Sequence, residues 1–279
     1  MTRYWWHEKI TPHYTHGYYV IPIYEERTPH QHLLIFKNEL WGRFLVLDGI
    51  TQFTERDEFI YHDAIVYCPA AALVTPPEEV LVIGGGDGGV VRELQKIPGV
   101  QKILQLEVDE SVFRACQKYL REIAGDYEDP RLTFRIADGA LEVKKMPDEA
   151  FDLIIVDCSD PIGPSAVLYT EEFYADIYRL LKPHGRFIQQ ASIPRFFPHI
   201  LPMAYQRAAK SFAKLEVLRA PVPCYGDEIA FILGSKDGTS AAIPKHEFQG
   251  RFYNPAVHQA CFALPTWWRE EFLRARPDS

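Results

Sequence analysis

The sequence predicts an α/β protein in which a doubly wound sheet follows a small N-terminal antiparallel β-domain. Three observations carry this. The apolar run Val80-Leu81-Val82-Ile83 leads directly into Gly84-Gly85-Gly86-Asp87-Gly88-Gly89, and Glu107 ends a second such run about twenty residues on, the layout of a nucleotide-binding turn. From Val80 onward, buried-strand runs alternate with amphipathic helical stretches. Before residue 57 the apolar runs are short and β-leaning, broken by Gly17, Gly42 and Asp48-Gly49.

Taken in order, Tyr18–Ile21, Leu33–Phe36 and Phe44–Leu47 read as strands of the first domain, residues 1–57. A helix is expected from about Glu58, and the loop Thr75-Pro76-Pro77 precedes the sheet of the second domain, residues 58–279. Its strands are expected at Val80–Ile83, Ile103–Leu106, Leu132–Ile136, Leu153–Val156, Gly185–Gln190, Lys214–Leu218 and Ile229–Leu233. Helices are expected at Val90–Lys96, Ser111–Leu120, Thr170–Leu181 and Leu201–Phe212. Continuous apolar strands separated by helices predict a parallel sheet covered on both faces, with ligands beyond the carboxyl ends of the strands.

Composition narrows the class. With 279 residues, 47% of them hydrophobic, the chain can bury a sizeable core. No run reaches the roughly 18 apolar residues of a membrane span, and the N-terminus carries Arg3, His7, Glu8 and Lys9 instead of a signal peptide's apolar stretch. A cytoplasmic location is the expectation. Five scattered cysteines lack metal-ligand spacing and predict free thiols, so no metal is expected. A net charge of -8 offers no basic surface for nucleic acid and favours cationic small molecules.

The acid inside the glycine turn sharpens that reading. Asp87 puts negative charge where a dinucleotide's pyrophosphate would sit, which points to a cationic nucleoside without phosphates. Three more acids fall at strand ends. Glu107 has two acceptor oxygens suited to a ribose diol. Asp138-Gly139 can accept from an adenine amino group with the base close to the backbone, or Asp138 can simply cap the helix starting at Ala140. Asp157-Cys158-Ser159-Asp160-Pro161-Ile162-Gly163-Pro164 places two carboxylates in a proline-rich loop. They suit an amine that must be bound as a cation and then lose a proton, or they cap backbone amides of the loop.

At this point the chain resembles the spermidine synthases, the polyamine aminopropyltransferases, over nearly its whole length. The motifs that carry the resemblance are Leu47-Asp48-Gly49, Gln52, Thr54-Glu55-Arg56-Asp57-Glu58-Phe59, Tyr61-His62, the Gly84–Gly89 turn and Glu107-Val108-Asp109. With them go Asp138-Gly139, Asp157–Pro164, Tyr225, Tyr253-Asn254-Pro255 and Ala263-Leu264-Pro265. The resemblance implies a Rossmann-like, methyltransferase-type second domain, with an N-terminal domain that serves oligomerisation and lids the site. It implies that decarboxylated S-adenosylmethionine, as co-substrate with no prosthetic group, gives its aminopropyl group to a diamine or polyamine, usually putrescine. Homodimers or homotetramers are implied as well. It further implies that Glu107 holds the ribose, Asp138 and Gly139 the adenine, and Asp87 the donor's amine, with Gln31 and His62 positioning the donor chain. Asp157, with Tyr61, would take the acceptor's proton, and Asp160, Gln190 and Tyr225 would line the acceptor pocket. Tyr61 and Tyr225 also fit ordinary core positions, and Gln190 fits the end of a strand.

The chain departs from the family pattern in three places, one of them Gln189-Gln190-Ala191-Ser192, where some family versions have glycine or acidic residues after the matching Gln and the pocket wall is expected to differ. His32 stands where the family often has an aspartate, and the loop after Tyr225 is short and acidic, Gly226-Asp227-Glu228. Asp227 or Glu228 either meets the distal ammonium of the acceptor or forms a solvated turn. Cys158, beside the proposed base, reads as a small packing residue. The alternatives carried forward are another acceptor (agmatine, cadaverine, diaminopropane or spermidine), an N-methyltransferase acting on a diamine, and a noncatalytic polyamine-binding protein. A dinucleotide oxidoreductase is disfavoured by Asp87.

Overall fold

The computed structural model describes residues 2–273; residue 1 of the first expected domain and residues 274–279 of the second lie outside the described residues. Strands β1 (Tyr4–Thr11), β2 (Tyr14–Arg27), β3 (His32–Asn38), β4 (Gly42–Leu47) and β5 (Ile50–Thr54) form a five-stranded sheet in that order, each antiparallel to its neighbour. The sequence pattern located β2, β3 and β4 but neither outer strand. Strand β1 is held partly by a buried acid that no hydropathy pattern reveals. The Glu8 carboxylate accepts from the Thr51 backbone N–H at 3.0 Å and from its hydroxyl at 2.6 Å, joining β1 to β5.

The second sheet contains β6 (Glu79–Gly84), β7 (Lys102–Glu107), β8 (Leu132–Ile136), β9 (Phe151–Asp157), β10 (Leu181–Gln190), β11 (Lys214–Val222) and β12 (Asp227–Ser235), in the order β11-β12-β10-β9-β6-β7-β8. All seven expected strands are present, but the sheet is mixed where a parallel one was expected. β12 runs antiparallel to both β10 and β11. The reason is the connection: β11 and β12 are joined by a tight turn at Pro223–Tyr225 and by Gly226 at φ 78°, and so short a link can only reverse the chain.

The helices are α1 (Glu58–Ala72), α2 (Gly89–Gln95), α3 (Glu110–Tyr119), α4 (Gly139–Glu142), α5 (Glu171–Leu180), α6 (Ile200–Ala208), α7 (Pro255–Phe262) and α8 (Thr266–Trp268). Alternate residues of one strand feed two cores: Val80 and Val82 pack on one face, Leu81 and Ile83 on the other. That is the doubly wound arrangement. Helix α1 is apolar on nearly every side and is buried from Tyr61 to Ala72, as a helix without a polar stripe must be. The N-terminal sheet packs Leu33, Ile35, Leu45 and Phe53 onto Val112, Ala115, Cys116 and Leu120 from α3 and its end. It therefore lies over the carboxyl end of β7. Among the described residues no helix is long and apolar enough to cross a membrane.

Phe187 is fully buried, stacked on Phe212 with ring centres 5.5 Å apart and edge-on to Tyr174. Phe187→Ala should lower the unfolding free energy by about 3–5 kcal/mol in a denaturant titration, because the cavity lies between elements that cannot collapse together.

Candidate active site

Order reversal at β6 opens a crevice above β6 and β9, whose ends are in register at Gly84 and Asp157. Helix α1 points its first turn into this crevice. Glu58, Tyr61 and His62 are spaced i, i+3 and i+4, so one helix face presents all three. The Tyr61 hydroxyl donates to Asp157 Oδ1 at 2.6 Å, while Asp157 Oδ2 is buried with no hydrogen-bond partner. Burial pushes the Asp157 carboxyl up to about 6, helped by Asp87 and opposed by His62 and Tyr61.

His62 lies between two acids, with Nδ1 2.5 Å from Glu58 Oε2 and Nε2 3.3 Å from Asp87 Oδ1. Burial disfavours its charge, but Asp87 and Glu58 outweigh burial and hold the imidazole at about 10. For Glu58, burial acts upward and is overcome by His62 and Arg92, which hold it at about 2. Asp87 is likewise held below its ordinary value against burial, by His62 and by the Gly89 N–H at 2.7 Å. Arg92 donates to Glu58 at 2.8 Å and to Glu93 at 2.7 Å, so one guanidinium spans two acids.

The glycines of the turn make room for these side chains. A Cβ on Gly86 would lie 2.8 Å from Glu107 Oε2, and one on Gly89 would lie 2.3 Å from the His62 ring. The turn is thus fitted to acids and an imidazole. Glu107 accepts from the Asp109 N–H at 2.8 Å, and burial pushes its carboxyl up to about 7. His62, Asp87 and Asp157 each offer one atom within 4.8 Å of the others, a spacing that could hold a metal. His62, however, faces a carboxylate at each ring nitrogen, so a metal there would first have to displace a ring proton.

A second cluster lies along the same strand ends. Asp160 accepts from Gln190 Nε2 at 3.3 Å and from the Ser192 hydroxyl at 2.8 Å, and burial raises its carboxyl. Gln190 Nε2 also reaches Cys158 O and the Tyr169 hydroxyl, both at 2.8 Å. Tyr225 sets its ring edge-on to Tyr61 and donates to Gln52 O at 2.6 Å. Its loop is fixed by Asp57, which accepts from the Cys224 N–H at 2.7 Å and from the Thr54 hydroxyl at 2.6 Å.

Other expected residues stand differently. Asp138 caps α4, accepting from Ala140 N and Leu141 N, and Gly139 is buried where a Cβ would strike Ile83. Gln31 donates to Asp109 Oδ2 at 2.9 Å beside the Thr28 hydroxyl at 2.7 Å, so it ties the N-terminal sheet to the loop after β7. Asp227 is paired with Arg195 and Glu228 with Arg219, which leaves the two acids expected to meet a distal ammonium neutralised by the protein itself. His32 pairs with Glu25 at 2.8 Å. Tyr253-Asn254-Pro255 is structural: Asp63 accepts from the Phe252 and Tyr253 N–H groups, and Asn254 caps α7. Sequence reasoning missed Glu58 as a site residue, although its i, i+4 spacing to His62 was readable. It also missed Asp109 and Tyr169 as site residues; Ser192, in the departing segment 189–192, has φ 67°.

Comparison with known proteins follows the same outline. The Spermidine synthase tetramerisation domain matches residues 4–55 and the Spermine/spermidine synthase domain residues 58–243. A polyamine aminopropyltransferase of Moorella thermoacetica is 39% identical over 257 residues, 91% of this chain and 90% of the relative. One of Desulforudis audaxviator is 37% identical over 273 residues, 96% of this chain and 98% of the relative. A crystal structure of spermidine synthase in complex with the transition state analogue AdoDATO superposes with TM-score 0.91 at 34% identity, covering 98% of this chain and 96% of that one. Spermidine synthase from Thermotoga maritima superposes at 0.89 with 34% identity, covering 99% and 96%.

Glu107 is more basic when folded than unfolded, so its neutral form favours the fold at low pH and that advantage is lost as pH rises toward about 7. Glu107→Gln should therefore be more stable than the parent protein by on the order of 2–3 kcal/mol near pH 8, the gap closing near pH 4. Chemical denaturation at the two pH values measures this.

Proposed function

The chain belongs to the spermine/spermidine synthase family, and from that premise we propose that it is a polyamine aminopropyltransferase that converts putrescine to spermidine. The donor is decarboxylated S-adenosylmethionine, and methylthioadenosine is the second product. The observation that carries this reading is the buried Asp157 carboxylate, with one oxygen engaged by Tyr61 and the other unpartnered in a crevice of acids. A group held at about 6 is ionised at neutral pH and able to receive a proton.

In the proposed reaction the acceptor nitrogen attacks the carbon beside the sulfonium in line. A C–N bond forms, the C–S bond breaks with its electron pair passing to sulfur, and the proton leaving nitrogen goes to Asp157. Sulfur departs as a neutral thioether, so no general acid is required. Tyr61 orients the base. Asp87 takes the donor's ammonium, with His62 beside it, and Glu107 the ribose diol. Asp138 and Gly139 flank the adenine, a role that the helix-capping oxygen of Asp138 leaves to the rest of the carboxylate and the backbone. Asp160, set by Gln190 and Ser192, receives the far ammonium of the acceptor, with Tyr225 as a wall. The similarity to solved spermidine synthases is the ground for preferring putrescine. Gln31 acts on the donor side through Asp109.

Residues 1–57 are assigned assembly and the cover of the site, and residues 58–279 the chemistry. Thr28, Gln31 and the Gln52 carbonyl reach across from the first sheet to the second. Trp5, 62% exposed, and Tyr19, 46% exposed, lie opposite each other on β1 and β2 and supply an apolar edge for a homodimer or homotetramer. The cysteines of the described chain are free, as suits the cytoplasm.

Incubation with the donor and a competing mixture of diamines and polyamines, read by mass spectrometry, should give spermidine and methylthioadenosine; a preferred product from another amine would displace putrescine. Asp157→Asn should lower kcat by about 10²–10⁴-fold while donor binding persists. Trp5→Glu combined with Tyr19→Glu should reduce the solution mass measured by light scattering, and an unchanged mass would move the assembly surface elsewhere.

A further inference from the structure

His62 is 2% exposed, and among the described residues the charged groups that face it are few. Glu58 from the same helix meets Nδ1, Asp87 from the glycine turn meets Nε2, and Asp157 from the end of β9 completes the cluster. Arg92 from α2 reaches the ring only through Glu58. The Phe53 ring of β5 and the Tyr61 ring pack around it and bring no charge. The imidazole is therefore the cation that balances Asp87 in the free protein.

The same atoms describe a second geometry. A primary ammonium makes three hydrogen bonds in tetrahedral directions, so acceptors about 2.8 Å from its nitrogen stand about 4.6 Å from one another. His62, Asp87 and Asp157 offer three atoms that all lie within 4.8 Å of one another, His62 Nε2 and Asp87 Oδ1 at 3.3 Å, close enough for one ammonium nitrogen to reach all three with bent hydrogen bonds, and Asp157 has an oxygen with no partner. That triad fits an R–NH₃⁺ group only if His62 contributes a lone pair at Nε2. A doubly protonated ring there would instead point an N–H at the incoming cation.

We propose that in the free protein His62 stands in for the donor's ammonium, and that it gives its Nε2 proton to solvent when the donor binds. The inference rests on the donor assignment given under the proposed function. Neutral His62 still donates from Nδ1 to Glu58, and Glu58 keeps Arg92, so neither is left without a partner. Nε2 then accepts from the ammonium. The exchange trades one buried cation for another and keeps the anions neutralised throughout. Because binding releases a proton, donor affinity should increase with pH, by about tenfold per unit between the pKa values of the bound and free states.

The test is titration calorimetry of the intact protein at pH about 8 in buffers of different protonation enthalpy, from which the protons released per ligand bound follow directly. Decarboxylated S-adenosylmethionine should release close to one proton from the parent protein. Methylthioadenosine, which lacks the aminopropyl ammonium, should release almost none. His62→Gln, which retains a neutral side chain able to accept a hydrogen bond, should bind the donor with almost no release. Asp157 is ionised at this pH and contributes little. Donor binding without proton release, equal release with methylthioadenosine, or full release from His62→Gln would each overturn the exchange while leaving the aminopropyl donor site standing. No donor binding in the parent protein would overturn both, and the missing heat would identify that case.

Discussion

Negative charge confined above the carboxyl ends of β6, β7 and β9 is the constraint on which the rest of this structure depends. Glu58, Asp87, Glu107 and Asp157 all reach that crevice, and burial acts to raise every one of their carboxyls. They do not respond alike. Arg92 and His62 are enough to keep Glu58 and Asp87 ionised, whereas Glu107 and Asp157, which form no ion pair among the described residues, are pushed up by burial to about 7 and about 6. The division separates two kinds of group: Glu58 and Asp87 have a counter-charge supplied by the fold, whereas burial shifts Glu107 and Asp157 upward.

Positioning these groups requires both sheets. Asp109 follows Glu107 by two residues, donates its N–H to that carboxylate and accepts from Thr28 and Gln31 of the first sheet. A displacement of the N-terminal sheet is thereby felt at Glu107. On the other side, Asp57 holds the turn that carries Tyr225, and Tyr225 in turn touches both Tyr61 and the Gln52 carbonyl. The first sheet and Asp157 are therefore connected through hydrogen bonds and one ring contact. Helix α1 can carry so much of the site because its other faces are fixed in the core and leave its first turn no freedom.

Much of the fold was legible because its elements obey local periodicity. The strands of the second sheet are continuous apolar runs, and α3 and α5 have clear amphipathic faces. Legibility ended where a polar group replaced the expected apolar one. Strand β1 depends on the buried Glu8, and the antiparallel β12 depends on a turn whose tightness is a matter of backbone geometry. Among site residues, Asp157, Tyr61, His62, Asp87 and Glu107 meet in one crevice. For Asp138 two readings share one local sequence: an acid at a strand end is also the N-cap of α4, with Oδ1 turned to the helix. Asp227 and Glu228 show the converse, since arginines distant in sequence neutralise them.

By itself, the sequence determined the alternating architecture, the glycine turn and the set of acids at strand ends, because apolar period and turn chemistry are written within a few neighbouring residues. Tertiary structure alone decided which acids have counter-charges, which carboxylate oxygen lacks a partner, and that His62 lies between Glu58 and Asp87. Those properties depend on distances between α1, the glycine turn and β9, and on the loss of water around them. No local pattern encodes either.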